Sequence, residues 1–360
     1  MNTRKSIKNI LLLIPALLLV LHSCKHDDLE IEKENENFRT ATDFVKNNYE
    51  MTLFYAALEK SGLAERLKTA GPFTVLVPND EAFKAIGIQR AADFDKMKPD
   101  SLKGLVERHI LNERLLFFDV PHNGVDVRYR TLAGTEVYAS MAGYATGNSA
   151  YPTNDLYFDG SSVIKKDVPL ANGTLHMLNK VMKNNTKSTV QDWLAKRPQY
   201  RIFVAGLKKF GLWDKLATAG PFSVFAVRNE FFEAAEMTEA SIAAMDPQDY
   251  NGARLFGAYV LQKKHFFLSD FEVFKTNNKE QFMTRSVDGD SWIIALSTIS
   301  NFFTKAVTGS MSLRTAVEYP YDQYGTITMP VPGLTDNLTD NGIVHDAQGL
   351  LLTPEQALKN

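Results

Sequence analysis

The chain contains its own copy. Leu53–Ala85 aligns without gaps on Ile202–Ala234, 149 residues further on, and sixteen of the 33 positions are identical, where chance gives roughly two. A period that long marks duplicated domains, not a solenoid of short units. The total of 360 residues agrees, since a domain takes roughly 150. With hydrophobic content of 44% and charged content of 23%, each half carries enough apolar residue to bury its own core.

Within each copy the hydrophobic period changes in the same order. In the first, Phe44, Met51, Tyr55 and Leu58 recur at helical spacing behind the cap candidates Thr40 and Thr42, predicting a helix stopped by Gly62. The turn Thr69-Ala70-Gly71-Pro72 leads into Phe73–Val77, a run of β-formers short enough for a buried strand. Asn79 or Asp80 can cap the next helix, which buries Phe83. The second copy repeats this with Gly220-Pro221, Phe222–Val227, Asn229 and Phe232. A later helical face of Leu102, Leu105, Val106, His109 and Ile110 corresponds to Leu255, Phe256, Tyr259 and Val260. Tyr129–Ala139 and Thr284–Ala295 read as hairpins, turning at Ala133-Gly134 and Asp288-Gly289-Asp290. Both copies close on a turn followed by an apolar strand bearing a histidine, Asn172–His176 and Asn341–His345. Helices early and strands late predict an α+β fold used twice.

Thr74–Phe83, TVLVPNDEAF, resembles the first signature of the fasciclin domain, and Asn172–Met182, NGTLHMLNKVM, resembles its second. The resemblance spans residues 40–183 and 187–355 and is weaker in the second stretch, where Val227 and Arg228 replace Pro78 and Asn79. It implies two tandem fasciclin-like domains, 39–183 and 187–360, each a β-sandwich wedge with helices packed around it. Lys183–Ser188 would link them, and residues 301–332 would be a loop inserted in the second. It also implies adhesion or extracellular binding and no enzyme. Some animal members carry a Tyr-His pair implicated in adhesion; Arg108-His109 and Ala258-Tyr259 occupy that place, so neither copy keeps the pair.

The first residues read as an export signal. Arg4, Lys5 and Lys8 precede Ile10–Leu21, an almost unbroken apolar run too short to span a bilayer comfortably. The run ends in Leu21-His22-Ser23-Cys24, which resembles the lipobox of bacterial lipoproteins. This predicts a signal peptide over 1–23 and a lipid anchor at Cys24, the only cysteine in the chain. Residues 24–38 follow as a charged, solvated tether with Asp27, Asp28, Glu30, Glu32, Glu34 and Glu36. A lysine and paired acids directly after the cysteine resemble the signal that sends lipoproteins of some Gram-negative bacteria to the outer face of the outer membrane. The expected location is therefore the outer membrane, lipid-anchored and facing the cell exterior.

A net charge of -2 gathers no phosphates, which argues against a nucleic-acid partner. The chain has no HExxH, GxSxG, GxxxxGK[ST] or GxGxxG motif, so no catalytic residue, cofactor or metal is expected. Asp336–Gly342 has the outline of a calcium loop, but Leu338 stands where an oxygen ligand is needed, and the stretch reads as a plain loop. His109, Tyr259, His176 and His345 suit buried hydrogen-bonding roles. Candidate contact residues are the tyrosines of two Pro- and Gly-bearing stretches: Tyr319, Tyr321 and Tyr324 in the insertion, and Tyr151 and Tyr157, with Phe158, in 148–158. The leading expectation is a non-enzymatic surface lipoprotein for an extracellular glycan or a host or matrix protein. The alternative is a structural accessory subunit of an outer-membrane nutrient-uptake complex, which would make that complex its partner.

Overall fold

A computed structural model of the chain describes residues 38–143, 155–183, 187–263, 265–276, 282–287, 290–300, 307–316, 319–329 and 335–359. The expected signal peptide, Cys24, the tether up to residue 37, and Tyr151 lie outside these residues.

In the first half, Thr40 Oγ1 accepts from Asp43 N at 3.3 Å and caps α1 (Ala41–Lys46). The single helix expected here is in fact two, α1 and α2 (Thr52–Lys60). Two asparagines break it: Asn47 Nδ2 donates to Asp43 O, and Asn48 Oδ1 accepts from Glu50 N. Both are local side-chain bonds that compete with the helical ladder. Gly62, with φ +75°, ends α2, and Leu63 N returns to Leu58 O. The remaining elements are β1 (Phe73–Pro78), α3 (Asp80–Ala85), α4 (Pro99–Arg108), β2 (Ile110–Leu111), β3 (Val127–Arg130), β4 (Glu136–Ala142), β5 (Asp155–Phe158), β6 (Ser161–Leu170) and β7 (Gly173–Leu178). Of the two cap candidates for α3, Asn79 does the capping, accepting from Ala82 N. Asp80 instead receives Leu53 N and ties α3 to α2.

The strands form one sheet in the order β2-β1-β7-β6-β5-β4-β3. β1 runs parallel to β7 and antiparallel to β2. β6 joins two layers: Ser161 and Ser162 pair with β5, residues 163–170 pair with β7, and the register of that second ladder breaks twice. Such breaks turn a strand and let one sheet become a wedge. β1 is buried throughout because both faces are covered. Phe73, Val75 and Val77 join the helical core with Phe54, Leu58 and Phe83, while Leu76 joins Phe117, Val137, Phe158 and Leu178.

The second half repeats the plan with α5 (Val190–Ala195), α6 (Arg201–Lys209), β8 (Phe222–Val227), α7 (Asn229–Glu233), α8 (Glu239–Ala244), α9 (Gly252–Leu255), β9 (Val260–Gln262) and α10 (Asp270–Thr276). Then come β10 (Phe282–Val287), β11 (Asp290–Ser300), β12 (Val307–Arg314), β13 (Gln323–Met329), β14 (Asn337–Thr339) and β15 (Gly342–Ala347). Thr189 caps α5 as Thr40 caps α1, and β8 lies parallel to β15. Here the strands form two sheets, β14-β15-β8-β9 and β10-β11-β12-β13. The role of β6 is divided between β13, which pairs with β12, and β14, which pairs with β15.

Two readings of these segments are corrected. Most of the described part of 301–332 is not an inserted loop: β12 and β13 are paired strands of the second wedge. Met311 and Leu313 on one strand, and Ile327 and Met329 on the other, are buried two residues apart, as a strand with one covered face requires. Asn337–Thr339, within the calcium-like stretch, is likewise a strand.

Each half has its own large core. Two small clusters draw on both halves: Ala142 and Tyr157 with Val273, and Tyr138 with Phe267, Leu338 and Ile343. Arg39–Asn360 is a single compact unit.

Candidate functional site

The closing histidines hold a device that appears in both halves. Asp167 and Asp336 sit in the left-handed region, at φ 55° and 58°. Each donates its backbone N–H to a histidine Nδ1 at 3.3 Å, Asp167 to His176 and Asp336 to His345. The carboxylates accept backbone N–H groups, Asp167 from Phe117 at 2.8 Å and Asp336 from Leu268 at 2.9 Å. The histidine Nε2–H then donates two residues earlier in that same segment, His176 to Leu115 O and His345 to Phe266 O. Both rings are therefore neutral, and burial holds their basicity down, for His345 to about 4. The sequence marks Asp336 only as the start of the calcium-like stretch and does not mark Asp167; the one signal for this role is that each lies nine residues before its histidine.

His109 and Tyr259 also do equivalent work with different chemistry. His109 Nδ1 donates to Leu105 O, and its Nε2 accepts from Met182 N at 3.1 Å. Tyr259 Oη accepts from Leu351 N at 2.7 Å. Met182 and Leu351 each lie six residues past the closing histidine, so both side chains pin the segment that leaves the closing strand. Next to His109, the buried Arg108 donates to Asp159 Oδ2 at 2.5 Å and to Thr135 Oγ1 at 3.0 Å. That ion pair has no mark in the sequence.

The halves meet through named polar contacts. Ser140 Oγ donates to Asp270 Oδ1 at 2.5 Å, and Asp270 Oδ2 accepts from Phe267 N at 2.9 Å. His265 Nδ1 lies 3.0 Å from Asp126 Oδ1, and its ring centre is 4.6 Å from that of Tyr138. Lys183 Nζ donates to Thr335 O and Asn337 Oδ1, and Lys180 Nζ stands 3.6 Å from Asp336 Oδ2. Burial lowers the Lys183 ammonium to about 8. A Cβ on Gly160 would lie 2.8 Å from Asp336 Oδ2, so only glycine admits the second half this closely. Asp159, Lys180, Lys183 and Asp336 line a cavity of about 70 Å3 at this seam. Among the described residues no group of three His, Cys, Asp or Glu side chains could hold a metal ion.

Residues 49–184 match the family model for the Fasciclin domain. The first half is a fasciclin domain. Human stabilin-1 is 28% identical over 181 residues, which are 48% of this chain and 7% of that protein. Ig-h3 from Sus scrofa, the transforming growth factor-beta-induced protein, is 26% identical over 146 residues, 40% of this chain and 19% of its own length. Human periostin is 24% identical over 193 residues, 53% of this chain and 21% of its own length. The chain thus spans about a fifth or less of these relatives. A solved FAS1 domain pair from the insect cell adhesion molecule fasciclin I superposes with a TM-score of 0.39 at 18% identity, covering 85% of this chain and 97% of that one.

The candidate tyrosines do not form one surface. Tyr319 is 87% exposed beyond β12. Tyr321 lies 6.3 Å from it, ring centre to ring centre, and is covered by the Arg314 guanidinium at 4.6 Å. Tyr324 belongs to β13 and packs against the second core. Tyr157 is not a loop residue: it lies in β5, is 2% exposed, and is covered by Val273 of the second half. Its phenol is buried without solvent, which drives its acidity far down.

Proposed function

We propose that the chain is a non-enzymatic surface lipoprotein that binds an extracellular glycan or protein, attached to the outer membrane through Cys24. The single observation that carries this reading is the fasciclin domain at 49–184. The spending of the polar core supports it: His109, His176 and His345 commit their ring nitrogens to backbone groups. A general base needs a nitrogen within reach of a substrate proton, and these three serve the fold instead. Tyr319, projecting beside a ring held by Arg314, offers apolar area with little side-chain entropy to lose.

The test is an array of glycans and matrix proteins probed with the chain from Lys25 onward. The expected result is saturable binding that the double variant Tyr319→Ala, Tyr321→Ala loses. A blank array, with a membrane protein recovered by crosslinking in intact outer membranes, points instead to the accessory subunit of an uptake complex.

A further inference from the structure

A groove of about 350 Å3 lies beside α5 and α6. Leu194, Val204, Ala205 and Trp213 give it an apolar floor, and Arg197, Arg201 and Lys208 stand along it. The cations are held in place before any ligand arrives. The Arg197 guanidinium lies 3.7 Å above the Trp193 ring, and its Nη1 donates to Trp193 O at 2.8 Å. Arg201 pairs with both Glu233 at 2.9 Å and Glu239 at 3.0 Å, a cluster with one net negative charge. Lys208 Nζ sits 5.3 Å from the centre of the Trp213 ring. Arg197, which precedes α6, and Lys208, in its last turn, supply the other two positive charges, so these five groups sum to one positive charge. The nine residues of α6 make a helix about 13 Å long.

Folding does not require this chemistry, because the first half builds the same helix pair with the opposite surface. At the position of Val204 it has Tyr55, whose hydroxyl donates at 2.6 Å to Glu59, and Glu59 is the counterpart of Lys208. Asn48 stands for Arg197 and Ala64 for Trp213. Cutting the tyrosine back to valine opens the face, and the glutamate-to-lysine change inverts its charge.

We infer that this groove binds an acidic polysaccharide, with carboxylates of separate uronate residues paired to Arg197 and Lys208 and a sugar face lying on Val204, Ala205 and Trp213. Well-spaced fixed cations suit anions repeated along a chain, and the apolar floor with its indole suits the C–H faces of sugar rings. An acidic peptide fits less well, because α5 and α6 offer it no free strand edge to pair with. The inference rests on the reading of the chain as an extracellular binding protein and places a ligand class at a surface distinct from Tyr319.

The test is binding of the full chain to oligogalacturonate by calorimetry, beside a neutral glucan and poly-glutamate of similar length. Lys208→Glu and Val204→Tyr each install the residue of the first half; Lys103→Glu, exposed on α4, is the charge control, and circular dichroism verifies folding. The expected result is binding to oligogalacturonate alone. Lys208→Glu weakens it about tenfold or more, since a charged hydrogen bond contributes roughly 1.5–3 kcal/mol. Val204→Tyr weakens it similarly, and Lys103→Glu leaves it unchanged. Equal binding by Lys208→Glu and Val204→Tyr overturns the site, while array binding lost on changing Tyr319 leaves the broader function standing. Equal binding of poly-glutamate with the same sensitivity to both variants overturns the ligand class. No binding to these probes, together with a blank array, removes both readings.

Discussion

Ser140 of the first half and Asp270 of the second share a hydrogen bond of 2.5 Å at a seam where both are buried. Asp270 also receives Phe267 N, yet loss of solvent outweighs both bonds, and the nearby Asp336 and Asp126 add to it, raising its carboxyl to about 7. Two halves with separate cores are therefore clamped through a group whose charge is disfavoured.

That seam gives the protein a pH dependence of definite sign. Asp270 keeps a proton in the folded chain that the unfolded chain releases near 3.8. Its stabilising contribution is complete below that value and is lost as pH rises through about 7. Asp270→Asn can still accept from Phe267 N, its amide nitrogen can donate to Ser140 Oγ with that bond reversed, and it has no charge to bury. Its melting temperature relative to the parent should rise between about pH 5 and about pH 8. A constant difference across that range would contradict the assignment.

The buried histidines act in the opposite direction. His109 and His345 are lowered from 6.5 to about 4, chiefly by burial. Their contribution is complete above 6.5 and is lost as pH falls through about 4. His109→Gln, which can still accept from Met182 N, should lower stability at neutral pH and flatten its decline on the acid side. Denaturant titrations at a series of pH values measure both effects.

Tyr259→Phe removes the acceptor for Leu351 N and leaves a buried donor unpaired. The expected cost is about 1–3 kcal/mol by urea unfolding. Tyr259→His installs the first-half residue and, through its ring nitrogen, should lose less than Tyr259→Phe.

Gly206 exists to admit a ring. A Cβ there would lie 2.0 Å from Phe256 Cε1, whereas the first half has Ala57 and Val106 at the matching places. Gly206→Ala should destabilise by about 1–3 kcal/mol. Combining it with Phe256→Val should recover part of that loss, a coupling that a double-mutant cycle of unfolding free energies measures directly.

Wherever contacts are local or the period is regular, the architecture was legible. The helical recurrence at Met51, Tyr55 and Leu58, the dense β-formers of β1 and β8, and the paired closing strands follow from side-chain spacing and burial. The repeat then showed that this plan was used twice. The misreadings arose where nearby cues competed with distant partners. Asn47 and Asn48 bond to their own backbone and split a helix whose apolar spacing runs on. The tyrosines, Pro320 and glycines around β12 and β13 suggested a loop, although Met311, Leu313, Ile327 and Met329 already alternated as strand residues.

The sequence by itself determined the duplicated α+β plan, because hydrophobic period and turn residues act over a few positions. Only the tertiary structure decided what each polar and aromatic group is for. The partner of Ser140 lies 130 residues away, Tyr157 is buried by a helix of the other half, and the groove beside α6 opens because a valine stands where the first half has Tyr55. Such roles depend on which surfaces the closed chain brings together, and no local pattern of residues encodes that pairing.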